Sequence, residues 1–424
     1  MNEIKYLHLK FSELNNSEGF EIRIGENLIP IHAKSGKWFA NIQIDENENF
    51  QLTKGDSSKV ELLVTNEKVF HPDQIVFDEK YGIKSHLLEG ESLCYATLGN
   101  KVNPTHILVT FPGVSNFDNV NYRLSALTSI QHLVSRNTLI IAFQDKEAVY
   151  GNYMYKTPAG YPIKAIGISL LRGLAVKYGI DDSKIIFYGN SKGGSIAIDF
   201  IESFPLSKFF VDIPQLDLFN YKSQNEIMRY SIGVASRNYY NYLNYLPSMN
   251  NLNVNYSFAE NDFDASRGLV MSKFPGINVN MLKDMGHSNA AMEFVKRQFS
   301  KIFQIINEDF PVLRPSISCD IKIEGDKLFL KRRLPAIKNT EQFKKLYAEI
   351  NFSNGKNIYS VSLNKIFDDD AASVFWEKGL EFLKHLSDDV YQISLTLYLN
   401  YREIVYPVNK NLIVKGTDSK IISI

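Results

Sequence analysis

The chain has few cysteines, no excess of one charge and no long apolar run. Its two cysteines, Cys94 and Cys319, are too few and too far apart in sequence to form a disulfide framework or a thiolate metal site. Lys and Arg together number 47, as do Asp and Glu, so no overall charge favours binding to nucleic acid or to an anionic membrane. The sequence lacks any run of about 18 apolar residues, and no apolar segment follows residues 1–5. These absences predict a soluble, cytoplasmic protein without a membrane span, a metal site or a nucleic-acid partner.

A length of 424 residues predicts two or three domains, and the residue pattern changes twice along the chain. Residues 1–85 approximate period-two alternation, which predicts a β-rich accessory domain. From about residue 86 to 310, strands alternate with helices, which predicts a mostly parallel, doubly wound sheet. Residues 311–424 are again β-rich, with one helix near Asp370–Leu386, and a β-sandwich is the simplest interpretation. Either flanking domain could cover the central sheet or bind a sugar or a protein partner.

The central feature of the sequence is the segment Lys184–Ile198. A β-branched and aromatic run breaks at Gly-Asn-Ser-Lys-Gly-Gly and continues as small and apolar residues at helical spacing. This pattern predicts the strand, sharp turn and helix of a nucleophile elbow in an α/β-hydrolase fold, with Ser191 at its apex. Gly189 and Gly193 would let the strand and the helix approach closely, and the backbone amide of Lys192 would face an oxyanion. Glycine-rich turns without a catalytic role also contain Gly-x-Ser-x-Gly. An acid and a histidine later in the chain are therefore needed to identify Ser191 as a nucleophile.

An acidic turn follows a later strand, Asn253–Phe258. In the α/β-hydrolase chain order, the triad acid comes after the nucleophile and before the histidine. The carboxylate must accept a hydrogen bond from the imidazole, which fixes the tautomer and stabilises the imidazolium. Asp262 is the first choice for this acid, with Asp264 and Glu260 as alternatives.

A histidine follows the predicted last strand of the sheet, Ile277–Leu282, and precedes a predicted helix over Ala290–Ile305. Taken alone, His287 is typical of a surface or helix-capping histidine. As the member that completes the chain order after Ser191 and Asp262, it is the predicted general base.

Two further groups of residues are predicted to line the site. The strand His106–Phe111 runs into a loop that would give the second oxyanion donor, from the amide of Gly113 or Val114, because Pro112 has no N–H. Tyr153 belongs to a Tyr-rich loop between the predicted strand Thr138–Phe143 and a predicted helix that begins at Ile163.

That loop, Gln144–Pro162, lies at the carboxyl end of a predicted parallel strand, where ligands bind in such sheets. Tyr153 would bind substrate, although Tyr-rich loops equally often serve packing. Gln215, just after the strand Lys208–Ile213, is a second candidate for substrate binding. The side chain of Lys192 is the third, since a cation at a helix N-terminus is unfavourable unless an anionic group uses it.

Four motifs together resemble a known family. They are the run at residues 189–194, the strand ending in Ile213-Pro214-Gln215, the Asn261-Asp262 turn, and Gly-His-Ser-Asn at residues 286–289. The region from 105 to 305 resembles the α/β-hydrolase-type capsular polysaccharide O-acetyltransferases, such as the meningococcal serogroup A capsule enzyme. It is also similar to hydrolase-fold proteins of capsule biosynthesis and of the accessory Sec system. Residues 221–250 lack the pattern of a strand and lie where hydrolase folds often insert a cap, so they are the candidate for a cap insertion.

The resemblance implies a triad of Ser191, Asp262 and His287, acetyl-CoA as the acyl donor, and a capsular or cell-surface glycan as the acceptor. It also implies association with a capsule-synthesis complex. A carbohydrate esterase or deacetylase of the same fold is the alternative, because water can replace the sugar hydroxyl. A non-catalytic assembly factor for capsule or glycoprotein export is the alternative from another class.

Overall fold

The computed structural model of the chain contains two compact units. One consists of Met1–Phe204 and Gln215–Leu246, and the other of Pro205–Pro214 and Pro247–Ile424. The boundaries predicted at residues 85 and 310 both fall inside these units. The structure describes residues 4–12, 19–32, 38–69, 72–114, 137–147, 151–157, 159–216, 252–271, 274–282, 285–306, 312–313, 320–325, 327–334, 346–355, 358–363, 372–379, 383, 386–399, 402–415 and 418–423.

The described residues of the first unit form eleven strands and three α-helices. The strands are β1 (Ile4–Phe11), β2 (Gly19–Ile24), β3 (Asn27–His32), β4 (Trp38–Asp45), β5 (Phe50–Lys54), β6 (Val60–Thr65), β7 (Lys84–Leu88), β8 (Glu91–Gly99), β9 (His106–Thr110), β10 (Thr138–Phe143) and β11 (Ile185–Asn190). The helices are α1 (Pro72–Tyr81), α2 (Ile163–Tyr178) and α3 (Lys192–Asp199), and short 3₁₀ turns span Ser57–Lys59 and Asp182–Lys184.

The first six strands form two small antiparallel sheets, in the orders β4-β1-β6 and β3-β2-β5. Period-two alternation is visible in β2, where Phe20, Ile22 and Ile24 are buried and Arg23 is exposed. One face of such a strand packs on a core while the other meets solvent. The β-rich pattern of residues 1–85 therefore corresponds to real strands.

Strands β7 to β11 form a larger sheet within the first unit, in the order β11-β9-β10-β8-β7. The three strands β9, β10 and β11 run parallel, and β8 and β7 are antiparallel additions at one edge. The parallel strands are buried along their whole length, which is typical of strands covered on both faces. Helix α2 ends at Gly179, whose φ of 65° gives the left-handed C-cap that glycine adopts readily.

The described residues of the second unit form twelve strands and two α-helices. The strands are β12 (Lys208–Asp212), β13 (Val254–Ala259), β14 (Ile277–Leu282), β15 (Val312–Leu313), β16 (Asp320–Glu324), β17 (Lys327–Leu334), β18 (Leu346–Ser353), β19 (Ile358–Leu363), β20 (Ala372–Gly379), β21 (Asp389–Leu399), β22 (Arg402–Lys415) and β23 (Asp418–Ser423). The helices are α4 (Ala265–Met271) and α5 (His287–Ile306).

The C-terminal strands of this unit continue the sheet that contains β13 and β14. Strands β12, β13 and β14 run parallel, and β19 then pairs parallel to β14, with Val279 opposite Tyr359 and Met281 opposite Val361. Strands β18, β21 and β22 follow in antiparallel order. The prediction that β14 is the last strand of its sheet is therefore wrong. Alternation in sequence reports which face of a strand is buried, but it does not report the partner strand.

The helix predicted near Asp370–Leu386 is also wrong over its described part. Residues 372–379 form strand β20, which pairs antiparallel to β17 with Phe375 opposite Lys331. The run Val374-Phe375-Trp376 favours a strand, since β-branched and aromatic residues fit a pleated surface. That local preference outweighs the three aspartates at residues 368–370, which favour the N-terminus of a helix.

The predicted cap at residues 221–250 lies outside the described residues. The strands predicted at residues 106–111, 208–213, 253–258 and 277–282 occur as β9, β12, β13 and β14, each within one residue of its predicted bounds, and the predicted strand of the elbow occurs as β11. Among the described residues, no helix combines the length and the apolar character needed to cross a membrane.

Deleting residues 311–424 should make the protein insoluble. The deletion would remove β19 and leave unpaired N–H and C=O groups on β14, which pairs with a strand on each side in the intact chain. Deleting only residues 416–424 is the matched control, because it removes β23, which pairs with β22 at the other end of this strand series. The soluble fraction after expression measures both. A monodisperse chain ending at residue 310 would contradict the prediction.

Candidate active site

Ser191 occupies the sharp turn between β11 and α3. Its φ of 55° and ψ of −123° lie in a region that residues with a Cβ rarely adopt, and such strain is often found at functional sites. The turn is tight because a Cβ on Gly189 would lie 1.9 Å from the carbonyl oxygen of Gly193. A Cβ on Gly193 would lie 2.7 Å from the carbonyl oxygen of Phe111. The strand, turn and helix predicted from the sequence are therefore present, and both glycines are sterically required.

A buried chain of hydrogen bonds ends on the hydroxyl of Ser191. The Nε2 of Gln215 donates to Ser191 Oγ at 3.0 Å, and the hydroxyl of Tyr153 donates to Gln215 Oε1 at 3.1 Å. The Oγ of Ser195, in the first turn of α3, donates to the main-chain oxygen of Gln215 at 2.8 Å. Tyr153 and Gln215 are each 1% exposed, and Ser191 is 9% exposed. The structure thus joins two of the three predicted substrate-binding residues, Tyr153 and Gln215, to the predicted nucleophile by hydrogen bonds.

The side chain of Lys192 points into the protein, where it pairs with Asp145. The Nζ of Lys192 lies 2.9 Å from Asp145 Oδ2, and both side chains are buried. The backbone amides of Asn152 and Tyr153 donate to the same carboxylate at 3.1 and 2.9 Å. Gly151, with a φ of 75°, passes so close that a Cβ there would lie 2.2 Å from both charged groups. The ammonium is therefore already paired, and its predicted contact with an anionic substrate group stays a prediction.

Asp145 was not identified from the sequence. Its position in the sequence could have indicated it, because Asp145 comes two residues after the buried strand β10. Strands β10 and β11 both run parallel to β9, so Asp145 and Ser191 follow strands that end at the same edge of the sheet. A buried lysine requires a paired anion, since an isolated charge in the interior is very costly. Knowing that Lys192 is buried would have pointed to this carboxylate.

The loop after β10 is also tied to the N-terminal part of the first unit. Lys146 pairs with Asp78 of α1, and Glu147 pairs with Lys68. Burial raises the pKa of the Glu147 carboxyl, and the Lys68 ammonium partly offsets that effect. A cavity of about 210 Å³ opens beside this loop, and its lining includes Cys94, Asp145 and Met154.

The loop that should give the second oxyanion donor lies against the elbow. Gly113 is buried and Val114 is half-buried. The carbonyl oxygens of Phe111 and Pro112 lie 2.7 and 3.1 Å from where a Cβ on Gly193 would be. The loop after β9 and the first turn of α3 are therefore in contact, as an oxyanion hole in this fold requires. The roles of Gly113, Val114 and the Lys192 amide as donors remain predictions.

In the second unit, Asp262 and His287 form a hydrogen-bonded pair. The Nδ1 of His287 lies 2.7 Å from Asp262 Oδ2, with the carboxylate buried and the imidazole partly exposed. The imidazole also stacks on Phe263, with ring centroids 5.8 Å apart. Asp264, the alternative acid, pairs instead with Arg267. For Glu260, the other alternative, the structure gives a backbone hydrogen bond from its amide to the oxygen of Leu282.

Parallel pairing explains why the acid and the histidine meet. Strands β13 and β14 are adjacent, so the turns at their carboxyl ends lie side by side. The amide of Asn261 donates to the oxygen of Met285 at 3.0 Å, which joins the two turns directly. His287 is the first residue of α5, whereas the predicted helix began at Ala290.

Asp262 lies near a buried tyrosine and a second carboxylate, Asp264. Burial, followed by the charges of Asp264 and Asp262, raises the pKa of the Tyr256 hydroxyl, while Arg267 acts in the opposite direction. Tyr256 is therefore protonated at neutral pH. The structure places the elbow in one unit and the Asp262–His287 pair in the other, so their joint action as a triad stays a prediction.

The chain matches no family model and no curated protein. Among solved structures, it is similar to a glycosylation-associated protein (Gap123) complex from Streptococcus agalactiae, with a TM-score of 0.40 and 11% identity over 70% of this chain. This match spans 63% of that protein's length.

Two further solved structures match a smaller part of this chain. A capsule O-acetyltransferase of Neisseria meningitidis serogroup A gives a TM-score of 0.39 and 18% identity over 53% of this chain and 95% of its own. An S-formylglutathione hydrolase from Agrobacterium tumefaciens gives a TM-score of 0.42 and 12% identity, over 53% of this chain and 94% of its own.

Replacing Lys192 with Met should destabilise the protein strongly, because it leaves the buried Asp145 carboxylate without its ion pair. Breaking a buried pair costs about 3–5 kcal/mol in free energy of unfolding. Lys164→Met is the matched control, since Lys164 and Glu202 lie 4.0 Å apart at the surface, where a pair contributes at most about 1 kcal/mol.

The double variant Lys192→Met, Asp145→Asn should recover part of the lost stability, since no uncompensated charge remains. Denaturant unfolding of the unmodified protein, of Lys192→Met, Asp145→Asn and their double variant gives the coupling between the two sites, and Lys164→Met is measured beside them. Equal effects of the Lys192 and Lys164 substitutions would contradict a buried, energetically important pair.

Proposed function

We propose that this chain is a serine-dependent O-acyltransferase that moves an acetyl group from acetyl-CoA to a hydroxyl of a bacterial capsular or cell-surface glycan. The observation that carries the proposal is Ser191, held in a strained turn with its hydroxyl engaged by a buried amide donor. The Asp262–His287 pair supports the proposal, because it has the acid-to-imidazole contact of a general base. The choice of acetyl donor and glycan acceptor rests on the sequence motifs around these residues.

In the proposed first step, His287 accepts the proton of Ser191 as Oγ bonds to the thioester carbon. Asp262 accepts from His287 Nδ1–H, which leaves Nε2 as the base. The carbonyl electron pair moves onto oxygen, and the amides of Lys192 and of Gly113 or Val114 stabilise that oxyanion. The tetrahedral intermediate then expels the CoA sulfur, which takes the proton from the imidazole.

In the second step, a sugar hydroxyl attacks the acetyl-serine and gives its proton to His287. Collapse of the second tetrahedral intermediate returns that proton to Ser191 Oγ and releases the acetylated glycan. Water in place of the sugar would make the enzyme an esterase or deacetylase. The burial of Ser191, Gln215 and Tyr153 favours transfer, because a buried acyl group is less accessible to water.

Intact-mass measurement after mixing the protein with acetyl-CoA tests the reaction. The expected result is a gain of one acetyl group that is lost when a glycan acceptor is added and is absent in Ser191→Ala. Turnover of acetyl-CoA without any acceptor would instead support the esterase. If neither acetyl-CoA nor the activated ester p-nitrophenyl acetate modifies Ser191, the chain is not an acyl-transfer enzyme and the assembly-factor alternative gains support.

Replacing Asp262 with Asn should leave the fold intact and lower turnover by a factor on the order of 10⁴, by the precedent of a wrong imidazole tautomer in serine proteases. Asp264→Asn is the matched control two residues away, and it should cost less than about tenfold because Asp264 contacts Arg267. Release of CoA thiol measures both rates. If Asp264→Asn is the more damaging change, the acid has been assigned to the wrong residue.

A further inference from the structure

Three hydrogen bonds, one at the main chain and two at the side-chain amide, hold Gln215 beside the hydroxyl of Ser191. Its main-chain oxygen accepts from Ser195 Oγ, its Oε1 accepts from the hydroxyl of Tyr153, and its Nε2 donates to Ser191 Oγ. With only 1% of Gln215 and of Tyr153 exposed, bulk water does not compete for these bonds. A donor with so little freedom requires little reorganisation when charge develops on the oxygen beside it.

We infer that Gln215 is a further catalytic residue, whose Nε2–H holds Ser191 Oγ as an acceptor throughout acyl transfer, and that Tyr153 is its positioning residue. This inference rests on the proposed function, since it requires Ser191 to be the nucleophile. It assigns to both residues a role on the enzyme's own reacting atom, in place of the substrate contact predicted from the sequence.

The orientation of the amide decides what happens to the single proton of Ser191. A hydroxyl donates one hydrogen bond and accepts two. When Gln215 donates, the Ser191 proton remains available for the general base. If the amide were reversed, Oε1 would accept that proton and the nucleophile would be held in an unreactive state. The Tyr153 hydroxyl donates to Oε1, and this contact leaves the N–H end facing Ser191.

During acylation, the Ser191 proton moves to the general base, Oγ bonds to the acyl carbon, and the carbonyl electron pair moves to oxygen. Gln215 gives up no proton in this sequence. Its N–H stabilises Oγ while that atom loses its proton and gains negative character. A buried hydrogen bond to a charged acceptor is stronger than one to a neutral acceptor, so the bond favours the transition state over the ground state.

Two rates on the full-length protein test this inference: phosphonylation of Ser191 by a fluorophosphonate and acetylation by p-nitrophenyl acetate, both followed by intact mass. Gln215→Met keeps the length of the side chain and removes the donor. Both rates should fall about 10²-fold, as when one donor of an oxyanion hole is lost. Gln144→Met is the matched control, since Gln144 is an equally buried glutamine whose Nε2 donates to the oxygen of Ala142. Its rates should stay within about threefold of the unmodified protein.

Tyr153→Phe should lower both rates about 2- to 10-fold, the range for one neutral hydrogen bond.

Gln215→Glu supplies a readout that a purely structural role would not change. Its ionised carboxylate would accept the Ser191 proton, whereas the protonated acid would still donate. The labelling rate of this variant should therefore pass through a maximum and fall as pH rises, while the rate of the unmodified protein should rise to a plateau.

The outcomes separate the inference from the proposed function. If the unmodified protein is not labelled at Ser191, both are overturned. If it is labelled and Gln215→Met reacts as fast as Gln144→Met, the inference alone is overturned. Should thermal melting show that Gln215→Met is unfolded, the other two variants decide. Full reactivity of Tyr153→Phe together with a rising plateau for Gln215→Glu would then refute it.

Discussion

The close approach of two backbone segments at the Ser191 turn is the constraint on which the first unit depends. There is no room for a Cβ at Gly189 or at Gly193, and the chain reverses from β11 into α3 with Ser191 at positive φ. This conformation has a chemical consequence. The Ser191 side chain makes no capping bond to its own helix, and its hydroxyl accepts from Gln215. The strained backbone at Ser191 thus places its Oγ within hydrogen-bond distance of the buried Gln215 amide.

The ion pair between Lys192 and Asp145 extends that constraint to the neighbouring loop. Two buried charges carry a desolvation penalty that a single short contact seldom offsets, and the amides of Asn152 and Tyr153 satisfy further acceptor sites on the carboxylate. The pair is therefore better understood as a device that fixes geometry than as a source of stability. It holds Tyr153 where its hydroxyl reaches Gln215. The contacts of Lys146 and Glu147 with the N-terminal part of the unit hold the same loop from its other side.

The sequence predicted elements whose signals are local, and it failed where a residue's partner lies far along the chain. The runs that became β9, β10 and β11 were recognisable because parallel strands buried on both faces are apolar over most of their length. The elbow was recognisable because its glycines are required within five residues of one another. The pairing of β19 with β14 left no such local trace, nor did the partner of Lys192. The alternatives Asp262 and Asp264 were equivalent in sequence, and only the turn geometry separates them, by directing one carboxylate to His287 and the other to Arg267.

The balance between transfer and hydrolysis depends on what surrounds the acyl group once it is formed. A hydrolase benefits from an open path for water, whereas a transferase must keep its ester until an alcohol arrives. In this chain, the hydroxyl of Ser191 is surrounded by side chains that already satisfy one another, so a water molecule placed there would have to compete with the bonds of Gln215 and Tyr153. A sugar hydroxyl brings binding energy from the rest of its ring, and that energy can offset the cost of entering such a site. For the acyltransferase proposed above, the same hydrogen bonds that orient the nucleophile would therefore also favour an acceptor larger than water.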